Sequence, residues 1–262
     1  MHKILITIDV EECDVPTEYG CDIPLSEQLD ISRKGIAHFM KLMDTENIPT
    51  TIFCTGVYAE NNPDWIRSLH DRHELASHGY FHGNFDAKTD LLSSKIVLET
   101  LSGKEVIGFR MARMQYVDEF EIKKAGYFYH SSLNPTWIPG RYNHLKASKL
   151  PFFEHELWNI PASVSPNLRI PLFWLAFKNF PLTFYKKLVR DTIRQHGFLN
   201  IYFHPWEFTD LTKYPLPKHV SKGSQGELLN KLTELIHWLK KEQLGEFSTI
   251  SNFVKSLSNE SK

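Results

Sequence analysis

MHKILITIDVEE, residues 1–12, decides how the rest of the chain is read. Ile4 to Ile8 form a short apolar run that ends abruptly in the acids Asp9, Glu11 and Glu12. Such a run reads as a buried strand that begins almost at the first residue. A secretory signal needs a longer apolar stretch and a small-residue cleavage site, and this run stops too soon. The expected location is the cytoplasm. No later segment approaches the ~20 apolar residues needed to span a bilayer.

Working outward, strand-like and helix-like segments alternate to the far end. Residues 26–46 place Leu29, Ile36, Phe39, Met40 and Met43 roughly on one helical face, with Ser26 as N-cap. IPTTIFCTG (48–56) reads as the second strand. A short helix starts near Pro63, and ELASHGYFH (74–82) is a third strand running into a loop. A helix over residues 91–101 leads to VIGFR (106–110), the fourth strand. GYFYHSS (126–132), LWNIPA (157–162), FLNIYFH (198–204) and EFSTI (246–250) follow as strands, with a helix over 226–242. Repeated strand–helix units imply a parallel sheet, either doubly wound or closed into a barrel. With no linker or repeat in view, residues 1–262 read as one domain.

Composition removes several functions. The chain has 30 Lys+Arg against 31 Asp+Glu, a net charge of −1, so nothing electrostatic points to nucleic acid. Cys13, Cys21 and Cys54 form no C-x-x-C pair, which argues against a disulfide framework or a zinc ribbon. No glycine-rich phosphate loop follows the first strand, and no G-x-S-x-G elbow occurs. What stands out is where the reactive side chains fall. In parallel α/β folds they gather at the C-terminal ends of strands. Asp9 and Glu11 follow the first strand, His78 and His82 the third, Arg110 ends the fourth, and His204 ends FLNIYF.

His78 and His82, four residues apart, can direct two imidazoles at one ion, and a carboxylate from another strand would complete the set. The bland alternative is a pair of loop histidines satisfied by backbone. Strand-end placement favours the metal. Such an ion acts as a Lewis acid, and amide or ester hydrolysis then needs a base and an acid, for which Asp9 and His204 are available. Zn²⁺ suits the donors, with Co²⁺, Ni²⁺ or Fe²⁺ able to take the same geometry.

TIDVEE, ASHGYFH, GFR and YFHPWE, in this order, resemble the motifs of the polysaccharide deacetylases, the NodB-homology group or carbohydrate esterase family 4. The subgroup with D-V-E-D, GYxYDSS and FHPWE motifs is nearest. The resemblance covers nearly the whole chain. It implies a distorted (β/α) barrel, commonly of seven parallel strands, and metal-assisted removal of acetyl groups from sugars. By position, Asp9 would be the general base, Glu11, His78 and His82 the metal ligands, Arg110 the holder of the base, and His204 the acid. Tyr80, Trp206 and Glu207 would contact substrate, with backbone N–H groups near Tyr80 at the oxyanion and Glu207 also able to pair with an imidazole. Three departures stand out. Glu11 and Glu12 compete for a ligand position often held by Asp, Met111-Ala112-Arg113 follows GFR where a proline is frequent, and His130 replaces the Asp of GYxYDSS.

The expected function is deacetylation of an acetamido sugar, free or carrier-linked, during assembly of a cell-surface polysaccharide. The alternatives are hydrolysis of a small cyclic or non-sugar amide on the same barrel, and a sugar-binding module without catalysis. One segment stays outside this reading. Residues 169–188, RIPLFWLAFKNFPLTFYKKL, are either two helices broken at Pro181 with their aromatics in the core, or an exposed flap able to touch a membrane surface.

Overall fold

A computed structural model describes residues 1–83, 85–223 and 226–260. Seven strands build the frame: β1 (Lys3–Val10), β2 (Thr50–Cys54), β3 (Glu74–Ser77), β4 (Gly108–Phe109), β5 (Tyr129–His130), β6 (Leu157–Asn159) and β7 (Phe198–Phe203). They lie side by side in the order β7–β1–β2–β3–β4–β5–β6, every neighbouring pair parallel. The short β8 (Glu246–Phe247) adds a parallel pairing to β1, and Phe152–Glu154 runs antiparallel to β6. Helices α1 (Leu25–Thr45), α2 (Ala87–Ser102), α3 (Leu182–His196) and α4 (Gly226–Lys241) supply most of the outer layer.

Strand alternation sorts the side chains into two layers. On β1, Ile4, Ile6, Ile8 and Val10 face outward into the core shared with α1, α3 and α4. Leu5 faces inward with Phe53, Ala76, Tyr129, Ile160 and Phe198. Thr7, Asp9 and Glu11 continue that inward row, all buried. The floor is closed by α5 (Ile250–Glu260), whose Ile250, Phe253 and Val254 pack onto the inward apolar set. Its first N–H groups dock on the barrel, Ile250 N on Thr51 Oγ1 at 2.8 Å and Ser251 N on Glu74 Oε2 at 2.9 Å.

The sheet curls into a distorted (β/α) barrel that its ladders do not close, since β6 and β7 share no pairing. Ser163 and Asn200 bridge that seam. Ser163 N donates to Asn200 O and Asn200 N to Ser163 Oγ, both at 2.8 Å. Asn200 Nδ2 reaches Pro161 O at 3.0 Å and Ser131 Oγ at 3.1 Å.

Some boundaries differ from the sequence reading. Helix α1 starts at Leu25 rather than after Ser26, because Pro24 presets the turn and its carbonyl accepts Glu27 N and Gln28 N. The EFSTI strand shrinks to Glu246–Phe247, since Ile250 already belongs to α5. Residues 169–188 form two helices that break at Pro181, Trp174–Asn179 and the start of α3. Leu172, Phe173, Phe177 and Tyr185 are buried and only the ring of Phe184 is exposed among these aromatics, so the flap reading is corrected to core. The physical reason is contact: Phe177 packs edge-on against Phe203 of β7 at 5.4 Å. Among the described residues no helix is long and apolar enough to cross a membrane.

Asn200 carries the seam, so Asn200→Ala should lower stability by about 1–3 kcal/mol through lost buried hydrogen bonds. Urea unfolding checks it; an unchanged midpoint would mean the seam needs no side-chain bridge.

Candidate active site

The inward row of β1 delivers Glu11 to the barrel mouth. Beyond β3 the chain turns at Gly79 (φ +83°), which brings His82 back beside His78, their rings stacked at 5.9 Å. Glu11 Oε2 lies 3.1 Å from His78 Nε2 and 2.9 Å from His82 Nε2. One ligand atom from each of the three falls within 4.8 Å of the others. The far side of each ring is fixed: His78 Nδ1 donates to Arg110 O and His82 Nδ1 to Asp14 Oδ2, both at 2.9 Å. Such outer partners orient ligating imidazoles. Glu12 is engaged elsewhere, accepting Thr55 Oγ1 at 2.7 Å and His82 N at 3.0 Å. Glu11 is therefore the carboxylate of the cluster.

The His82 ring faces carboxylate oxygens at both nitrogens, a demand that a neutral imidazole with one N–H cannot meet. Burial pushes the His82 imidazole down, but the carboxylates of Glu11 and Asp14 outweigh it and raise it to about 10. Burial likewise opposes ionisation of Glu11, yet His82, His204 and His78 hold it well below the usual carboxylate range. The cluster calls for positive charge at its centre. Two imidazole nitrogens and a carboxylate oxygen fit a divalent ion.

Asp9 lies deeper in the same row. Arg110, fully buried, donates from Nη1 to Asp9 Oδ1 at 2.7 Å and to Thr7 Oγ1 at 2.8 Å. Its Nε and Nη2 bind Ser131 O and Oγ, and its guanidinium stacks over Phe53 at 4.0 Å. Asp9 Oδ2 is left 4.0 Å from His204 Nε2. His204 is held from behind by Glu207, whose Oε1 accepts its backbone N at 2.7 Å and its Nδ1 at 3.0 Å. Trp206 stacks on the imidazole at 5.3 Å and Trp174 meets it edge-on. Burial works against the charged imidazole, but Glu11, Glu207 and Asp9 prevail and raise its pKa.

These groups open into a cleft of about 280 Å³. Asp9, Glu11, His82 and His204 line its floor, and Tyr142, Phe173, Trp174 and Tyr202 are among the apolar residues lining it. The polysaccharide deacetylase family model matches residues 29–130, a span that holds His78, His82 and Arg110. The fold is similar to a putative polysaccharide deacetylase from Mycobacterium smegmatis, with TM-score 0.69 at 17% identity over 99% of this chain and 91% of that one. Over residues 29–130 the chain is similar to the polysaccharide deacetylases. A second similar fold is the Puue allantoinase, with TM-score 0.68 at 16% identity over 97% and 89%. A third is a carbohydrate esterase family 4 pseudoenzyme from Bacillus anthracis, with TM-score 0.51 at 12% identity over 95% and 63%. Identities this low carry the fold alone. Among curated protein sequences nothing matches the chain.

Against the deacetylase motifs, several readings change. His130 does not stand at the site. It occupies an outward position on β5, and its Nε2 lies 3.4 Å from Glu119 Oε1, an ion-pair distance without hydrogen-bond geometry. The Tyr80 side chain lies outside the cleft lining, its hydroxyl donating to Glu60 and its ring covering Gly56. Glu207 has no exposed surface and acts on His204, so it is no substrate contact; Trp206 does reach the cleft. Sequence reading missed Asp14, Thr7 and Ser131, which support His82 and Arg110. Of these, Thr7 was findable, since it precedes Asp9 by two residues on the same strand.

Helix α1 crosses the His204 turn backbone against backbone. A Cβ at Gly35 would stand 1.8 Å from Pro205 O. Gly35→Ala must push the turn away, with a cost typical of overpacking, about 1–3 kcal/mol. Turnover should fall with stability. Thermal unfolding and kcat matching wild type would show that this approach does not hold His204.

Proposed function

We propose that this chain is a metal-dependent hydrolase that removes the acetyl group from an acetamido sugar, in the assembly of a cell-surface polysaccharide. One observation carries the reading: a single cleft unites a Glu-His-His cluster, a carboxylate held by arginine and an imidazole held by glutamate. The family match over residues 29–130 supports the deacetylase chemistry. A binding module without catalysis would have no need of this whole set.

Glu11, His78 and His82 would hold a divalent ion, which when bound would supply Lewis acidity for amide hydrolysis. The protein's own groups handle the protons. Asp9, held through Oδ1 by Arg110, presents Oδ2 to take the proton of the water. His204, paired through Nδ1 with Glu207, gives the Nε2 proton to the departing amine nitrogen. Glu207 keeps Nδ1 engaged, so the proton to be given is the one on Nε2.

A small cyclic amide is the second reading, favoured by the size of the cleft: at about 280 Å³ it lies just under the usual range for small-molecule pockets. Released acetate from N-acetylated sugars, set against ring opening of cyclic amides, separates the two.

His78→Ala with His82→Ala should lose the ion and the turnover while the barrel still folds; metal analysis beside circular dichroism reads both, and full occupancy in the double variant would sink the assignment. Asp9→Asn and His204→Ala should each cut kcat by about 10²–10⁴ with the ion retained. Asp9→Asn also leaves Arg110 buried without a counter-charge, so its unfolding free energy should drop by roughly 3–5 kcal/mol. Because the acid must be protonated, kcat should fall as pH rises through the His204 pKa. That alkaline limb should vanish in His204→Ala, and its persistence would place the acid elsewhere.

A further inference from the structure

The loop after Arg110 runs Met111-Ala112-Arg113, where the deacetylase pattern often has proline. Here the backbone is unusual. Arg113 has φ 55° and Met114 φ 53°, two successive left-handed residues that are not glycine. Such conformations persist only where surrounding contacts impose them. The contacts at Arg113 are ionic. Its Nη2 donates to Asp14 Oδ2 at 2.7 Å and its Nε to Glu18 Oε1 at 2.9 Å.

Asp14 Oδ2 is the same oxygen that accepts His82 Nδ1 at 2.9 Å. The other oxygen, Oδ1, is buried with no hydrogen-bond partner. The carboxylate is thus oriented through one oxygen, between the imidazole on one side and the guanidinium on the other. Both Asp14 and Arg113 line the cleft. Asp14 sits in the loop after β1 and Arg113 in the loop after β4, so the contact fixes two barrel loops around a ring from a third.

We propose that Arg113 is a positioning residue: by holding Asp14 it fixes the His82 ring and sets the affinity of the Glu11-His78-His82 cluster for a divalent cation. This rests on the metal reading above. Arg113 itself touches no ion and acts through Asp14. Lysine cannot replace it, because a point charge does not fork across Asp14 and Glu18 as a guanidinium does.

The test measures zinc affinity of the full chain by competition with a chromophoric chelator, with thermal unfolding of the metal-free protein as control. Arg113→Ala should weaken zinc binding by about 10–100-fold, the usual effect of losing an outer partner. Asp14→Asn should do the same, and the double variant should be no weaker than Asp14→Asn alone, since both changes break one chain of contacts. Arg113→Lys should rescue little; if Arg113→Ala does not fold, this variant carries the test at the same threshold. A folded Arg113→Ala binding zinc within about threefold of wild type overturns the inference, as does a double variant whose losses add. If wild type itself binds no zinc, cobalt or nickel, the metal reading fails, which is a different result.

Discussion

A guanidinium with no exposed surface lies inside this barrel, and the site is arranged around it. Arg110 binds β1 through Thr7 and Asp9 and the end of β5 through Ser131, and its own carbonyl accepts His78. One residue therefore sets the proton acceptor and one imidazole of the cluster. A buried charge of this kind is costly unless it is paired and its donors are filled. Asp9 supplies the charge, and the Phe53 and Tyr202 rings supply faces on which a planar cation is favourable. Removing any of these partners leaves charge stranded in an apolar interior, so geometry and stability fail together.

Behind the reactive groups stands a second tier that touches no substrate. Glu207 serves His204, Asp14 serves His82, and Glu12 joins the β1 loop to Thr55 and to the backbone of His82. The carboxylates gather at one end of the barrel, and their negative charge is what raises the His82 and His204 imidazoles despite burial. A cluster that draws protons onto its histidines is one whose charge balance invites a cation. The apolar side of the cleft comes from other loops, with Phe173 stacked on Tyr202 and Trp174 against Trp206.

How much of this was legible in the sequence follows from range. Strands β1, β2 and β7 were readable because each is a continuous buried run. The strand-end residues Asp9, Glu11, His78, His82, Arg110 and His204 were visible as polar groups closing such runs. Helix α5 was not, since Ile250, Phe253 and Val254 are interleaved with serine, asparagine and lysine and show their purpose only once the barrel floor is present. The Arg113–Asp14 contact joins residues 99 apart, beyond any local pattern. The direction of the Tyr80 side chain was not legible, because Gly79 turns the chain there with a positive φ.

The inward row Leu5, Thr7, Asp9, Glu11 also limits how this chain can change length. Deleting one residue between Lys3 and Asp9 would turn Asp9 and Glu11 into the outer apolar layer and bring Ile8 and Val10 inside. Deleting two would restore the facing but draw both acids about 6.6 Å down the barrel, away from His82 and His204. Neither outcome is repaired by a further point substitution. The first strand is thus a ruler with fixed graduations, and insertions are tolerated only in the loop beyond its C-terminal end, where Asp14, Val15, Glu18 and Tyr19 line the cleft.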